Sequence, residues 1–232
     1  MKISTIFKSL LIFVTLFLFG CGPSYLIQPS LMESKLKIDK ELATVKYINM
    51  TDGRTEGDKK TQVEKSCISP TGMFQLGDDQ FYSESKIIPP MLSEFNNNLL
   101  LTLEHSQAVK IKTESDSLKL NDYIFSSNLE FSKLMLDDTK AVKTQQCIGG
   151  LVGALVVAED ETTTTTDIVL TGKLIKNKKE VWSHKVNFNR VLTDVHKNLH
   201  ELVERSIDEG IGEACGELAD EMVKFLDETI NK

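Results

Sequence analysis

The chain contains no Cys-x-x-Cys pair, no Gly-x-Ser-x-Gly elbow and no glycine-rich phosphate loop. The first absence removes support for a zinc cage or a thioredoxin-like redox centre. The second, with no histidine beside any cysteine, leaves nucleophilic catalysis without a local signature. Positive charge is in short supply, with 27 Lys and Arg against 34 Asp and Glu and a formal charge of −7. An acidic balance argues against nucleic acid and against a polybasic membrane patch. Beyond the first twenty residues no apolar run approaches the roughly 20 residues that a spanning helix needs. Adjacent acids do occur, at Asp78-Asp79, Asp137-Asp138 and Glu159-Asp160-Glu161. They fall in polar stretches, whereas a glycosidase needs two carboxyls across a cleft. The chain is expected to be non-catalytic and to carry no cofactor.

What is present begins with the leader. Lys2 and Lys8 precede an apolar core from Leu10 to Phe19, broken only by Thr15. A basic start and a short apolar core make a secretory signal. The junction Leu18-Phe19-Gly20-Cys21 resembles the lipobox of bacterial lipoproteins, with Phe19 departing from the small residue usual in that slot. The resemblance implies that the Cys21 thiol is diacylated, that the chain is cut before it, and that the new amine is acylated. Gly22, where an aspartate would stand otherwise, resembles the export signal for the outer membrane, with the protein facing the periplasm. Several acyl chains, at about 0.8 kcal/mol per buried methylene, give stable anchoring.

Residues 1–20 carry two lysines and no acid, so the formal charge becomes −9 without them. Residues 21–41 read as the lipidated cysteine and a flexible tether. Residues 42–232 suit one domain with an ordinary core. Three cysteines remain in it: Cys67 and Cys147 in polar loops, and Cys215 in a helical pattern with apolar neighbours. An oxidising periplasm makes a Cys67–Cys147 disulfide the expected pairing; three free thiols are the alternative.

Along the domain, "LATVKYINM" gives a first strand, with Val45, Tyr47 and Asn49 on one face. Asp52-Gly53 and Gly57-Asp58 mark turns, and residues 58–86 read as a long irregular loop. After Pro89-Pro90, Met91, Leu92, Phe95, Leu99 and Leu103 fall at helical spacing. "AVKIKT" is a short strand. From Asp122 to Leu136 the chain alternates, which places Tyr123, Phe125, Leu129, Phe131 and Met135 on one face, and Ser126, Asn128, Glu130 and Ser132 on the other. Asp167–Ile175 and Glu180–Val191 form two strands about the turn Lys176–Lys179. Ile168, Leu170 and Leu174 share a face, as do Trp182, Val186 and Phe188. A long amphipathic helix follows, with an apolar stripe from Val195 to Leu226. Gly210, Gly212 and Gly216 interrupt it, which implies a kink or a close approach to the sheet. The expected fold is α+β: a single mixed or mostly antiparallel sheet with a mid-chain helix and a long C-terminal helix packed on it.

"VKYINMTDGRTE", "DYIFSSNLEFSKL" and "TDIVLTGKLIKNKKEVWSHKVNFN" together resemble the YajG-like and TolB N-terminal-like envelope lipoproteins, with their curli-secretion and penicillin-binding-protein-activator relatives. The likeness covers residues 43–230 by pattern. It implies an envelope accessory role and no chemistry.

Two features stand apart from the fold. His196 and His200 share a helix face, with Glu201 or Glu204 as a further oxygen ligand. Lys197 stands where zinc proteases place a glutamate, and a solvated helix face is the simpler reading, so no metal site is assigned. "IGGLVGALVV", residues 148–157, places Gly149, Gly150, Leu151, Val152 and Gly153 in a stretch that would be costly to leave in water. It reads either as a buried connection or as a contact surface for membrane or partner, with the threonine run that follows as its water-facing rim. The sequence thus points to a lipid-anchored periplasmic binding or accessory component of an envelope assembly. An oligomeric secretion or pore accessory using residues 148–157, and a small-molecule or metal-binding lipoprotein using His196 and His200, are the rivals.

Overall fold

Alternating apolar and polar residues build the second half of the chain into three long strands. The computed structural model describes residues 25–26, 38, 40–55, 80–81, 87–113, 115–117, 119, 122–137, 162–194 and 199–231. Their elements run β1 (Tyr25–Leu26), β2 (Ala43–Tyr47), β3 (Thr51–Asp52), β4 (Gln80–Phe81), β5 (Ile87–Ile88), α1 (Met91–His105), β6 (Val109–Lys112), β7 (Tyr123–Asp137), β8 (Thr162–Lys176), β9 (Lys179–Asp194) and α2 (Leu199–Ile230). The main sheet has the order β6-β2-β7-β8-β9, with β3 and β4 also pairing with β7. β2 is parallel to both its neighbours, whereas β7, β8 and β9 run antiparallel. Among the described residues the fold is α+β, with one mixed main sheet, a separate β1–β5 pair and the two expected helices.

Asn177 and Lys178 both hold positive φ, at 52° and 63°, which a two-residue hairpin of the mirror-image turn type requires. α1 starts directly after Pro90, where a missing N–H costs nothing, and is capped after His105 by Ser106, followed by Gln107 at φ 55°. Both helices lie on one face of the sheet. Phe95, Leu99 and Leu103 of α1 meet Phe125, Leu129 and Leu170 of the strands in one fully buried cluster. α2 adds Ile207, Ile211, Cys215, Leu218 and Met222. Gly210 explains the expected close approach: a Cβ there would stand 2.8 Å from Thr166 Cγ2 and 3.3 Å from Ile168 Cδ1.

The structure corrects the reading in four places. Glu130 is an extra residue on β7, because Leu129 pairs with Leu170 and Phe131 with Val169. This bulge reverses the alternation. Ser132 and Leu134 therefore turn inward and are buried, while Phe131 and Met135, expected on the core face, stand half-buried on the other. The first strand ends at Tyr47, so Asn49 is exposed and Met50 takes the buried place. The threonine run is not a rim: β8 begins at Thr162, and Thr164 and Thr166 are buried under α2. Finally, β4 lies within the 58–86 stretch read as irregular, and β1 and Ile38 within the 21–41 stretch read as tether. Ile38 packs against the core.

Candidate functional site

Cys21, Cys67, Cys147, Gly149, Gly150, Leu151, Val152, Gly153, His196 and the His200 side chain lie outside the described residues. Among the described residues no cluster of His, Cys, Asp and Glu could hold a metal, and no helix is long and apolar enough to cross a membrane. Cys215 sits as its apolar neighbours predict: fully buried, free, with Sγ 3.6 Å from the Phe95 carbonyl. Burial pushes its thiol far up from the ordinary range, so it stays protonated and a poor nucleophile. The Tyr47 hydroxyl is raised in the same way, chiefly by burial, and contacts Asn96.

Beside the β7 bulge is the most deeply buried cation of the described domain. Arg54 is 6% exposed. Its Nε and Nη2 each donate to the Asp52 carboxylate at 2.9 Å, and its Nη1 donates to Ser132 Oγ at 3.0 Å. A two-pronged pair of this kind is the geometry in which a buried guanidinium is tolerated. Each partner is placed by backbone: β3 sets Asp52 against β7, and the bulge turns Ser132 inward. A Cβ on Gly53 would lie 2.5 Å from Asn128 Nδ2, so the Asn128 side chain, whose Oδ1 accepts from Thr51 Oγ1, would have to move. The "TDGR" spacing hinted at this nest. The serine across from it was hidden, because the bulge cannot be read from alternation alone.

The sheet face away from the helices mixes apolar side chains such as Phe131, Met135 and Val191 with a polar network. Across its middle, Glu130 accepts from Thr171 and, at 2.5 Å, from Lys185 Nζ, and Asn189 Nδ2 donates to Asp167. The hydrogen bond from Lys185, then that from Thr171, holds the Glu130 carboxyl below the ordinary carboxylate range. At the sheet end, Lys112 pairs with Asp122 at 2.8 Å and lowers it likewise. The Thr113 backbone N–H is the first cause of a lowered Asp116. These acids are ionised partners in hydrogen-bond networks, suited to presenting a surface.

A small cavity between α1, α2 and the sheet is lined by Phe95, Ser132, Leu134, Ile168 and Ile211. At about 10 Å³ it is the size of a water molecule, too small for a metabolite.

The N-terminal strand pair is the remaining feature. β1 runs parallel to β5 with Leu26 opposite Ile88, and the Leu26 N–H donates to Glu204 Oε1 on α2 at 2.7 Å. Ile87 is 5% exposed and belongs to the core, whereas Leu26 and Ile88 are 55% and 52% exposed.

No protein-family model and no curated protein matches the chain. Among solved structures it is similar to a DUF330 protein of Xanthomonas campestris at 11% identity and TM-score 0.46, covering 90% of this chain and 95% of that one. It is also similar to a putative neuraminyllactose-binding hemagglutinin homolog of Helicobacter pylori at 10% identity and TM-score 0.39, covering 87% and 93%. A third, uncharacterised protein shares 10% identity at TM-score 0.40, over 87% and 99%. At these scores the likenesses carry no argument about activity.

Proposed function

We propose that the protein is a lipoprotein anchored through Cys21 in the outer membrane, whose periplasmic domain acts as a non-catalytic binding component of an envelope assembly. The single observation behind it is the junction Leu18-Phe19-Gly20-Cys21 after a basic, apolar leader. Support comes from the domain itself. Asp116, Asp122 and Glu130 are tied into hydrogen bonds, its described thiol is buried, and the cavity between its helices and sheet is water-sized. The resemblance to YajG-like and TolB N-terminal-like lipoproteins points the same way. Gly149, Gly150, Leu151, Val152 and Gly153 are the proposed contact with the partner protein, and Cys67 and Cys147 the proposed disulfide.

Cys21→Ser tests the anchor: the variant should accumulate as a longer precursor that takes up no labelled palmitate. A variant of mature size that still labels would refute the reading. Leu151→Asp tests the contact. Proteins that co-purify with the wild-type chain from solubilised envelopes should be lost while the melting temperature holds. A lower melting temperature would make the segment core instead.

A further inference from the structure

We infer that Leu26 and Ile88 are the foot on which the domain rests on its membrane, inserted side by side into a zwitterionic lipid surface. The inference rests on acylation at Cys21. Its own observation is the exposure of two large apolar side chains at a place the chain cannot move away from the bilayer.

The strand pair is fixed to the domain on two sides. Ile87 is buried in the core next to Ile88, and the Leu26 N–H is held by Glu204 of α2. Alternation along β5 then has one outcome: with Ile87 inward, Ile88 must point out. Leu26, its partner in register, stands beside it at the spacing of neighbouring strands, roughly 4.8 Å.

Length decides what covers them. Leu26 follows Cys21 by five residues, a reach of at most roughly 17 Å even fully extended. A domain of this size has a radius of gyration of roughly 16 Å, and the headgroup layer takes up roughly 6 Å on each side of the hydrocarbon. A domain held on so short a lead cannot tumble freely above the surface. The face carrying Leu26 is turned to the lipid. A freely coiled lead running to residue 41 would have allowed about 25 Å of separation and no fixed orientation.

The charge that α2 brings to the pair selects the lipid. Glu204 sits at the pair, and Glu201, exposed, lies one turn earlier on the same side of α2. Acids disfavour an anionic surface, so attachment is by apolar insertion and not by charge. Two side chains are too few to hold a protein on a membrane. With the acyl anchor supplying the local concentration, they are enough to set its orientation.

The test uses the full, processed chain reconstituted in phosphatidylcholine–phosphatidylethanolamine vesicles that carry bromine on the acyl chains. Trp182, the single tryptophan, is replaced by phenylalanine, and one tryptophan is introduced at Ile88 or, as the distant control, at Val181 on β9, which is 40% exposed and lies at the other end of the sheet, next to the position that packs on Phe225 near the C-terminus of α2. Vesicle flotation is measured in parallel. The expected result is that both variants float, that Ile88→Trp loses more than half its fluorescence to the bromines, and that Val181→Trp loses little. Leu26→Trp, as a second variant, should behave as Ile88→Trp. Floating protein with equal, weak quenching at both positions overturns the foot and leaves the anchor standing. Ile88→Trp shielded from bromine and also from aqueous iodide means that protein covers the pair, and overturns it too. Failure to float, with Cys21 unacylated, overturns the anchor and the foot with it.

Discussion

The two faces of the β7–β9 sheet are made in part from the same residue and do opposite work. On β8, Thr164 and Thr166 point under α2 and are buried, while Thr163 and Thr165 stand half-exposed on the open side. Under the helix, Thr164 Oγ1 and Ser206 Oγ lie 2.6 Å apart, and Ser206 Oγ also donates to the Leu202 carbonyl at 2.8 Å. On the open side, Thr163 and Thr193 share a hydroxyl contact at 3.0 Å across two strands. Composition alone does not distinguish a buried polar seam from a wet one; position along a period-two strand does.

The largest effect separating the faces should come from adjacent residues of β7. Phe125 is fully buried, so Phe125→Ala should cost about 3–5 kcal/mol and lower the melting temperature by roughly 10 °C. Ser126→Ala, one residue along and on the open face, should change stability by less than about 0.5 kcal/mol. Comparable losses at both would mean that the open face is also core.

Next in size is the seam where helix and sheet touch. Gly210→Val would drive side-chain carbon into Thr166 and Ile168, and should destabilise by about 1–3 kcal/mol in thermal melts. A gain in stability would show that α2 lies further from β8.

The hydroxyl seam offers a subtler measure. Ser206→Ala should cost about 1 kcal/mol by depriving the buried Thr164 hydroxyl of its near partner. The Thr164→Val, Ser206→Ala double variant should cost less than the sum of the two singles, since neither hydroxyl is then stranded. Strict additivity would contradict the contact.

The smallest effect belongs to the open face. Its depressed pKa means that Glu130 contributes stability above the ordinary carboxylate range, which is lost as pH falls through its lowered folded value. Glu130→Gln should therefore be slightly destabilising at pH 7, by no more than about 0.5 kcal/mol for so exposed a pair. The difference should disappear in acid. A variant penalty that grows as the pH falls would reverse the assignment.

Much of this fold is written in local pattern. The α1 spacing, the β8–β9 hairpin and the α2 stripe all follow from periodicity within one element, and each was legible. What was not legible depends on pairing between elements. The β7 bulge is set by register against β8, so Phe131 and Met135 looked inward from the strand alone. Thr164 and Thr166 became core only because α2 carries Ser206 and Gly210 at the matching level. Leu26 and Ile88 are far apart in sequence, and neither two-residue strand has enough length to show a period. The proposed anchor rests on a different kind of signal. Cys21 is proposed from the leader before it, whose pattern is composition and order along the chain and depends on no fold, and it lies outside the described residues.

That anchor is the central claim, and the intact mass of the protein extracted from membranes tests it most directly. The predicted species begins at Cys21 and carries three acyl chains, two through the thiol and one on the amine. A chain that retains residues 1–20, or that begins with an unmodified cysteine, would contradict it.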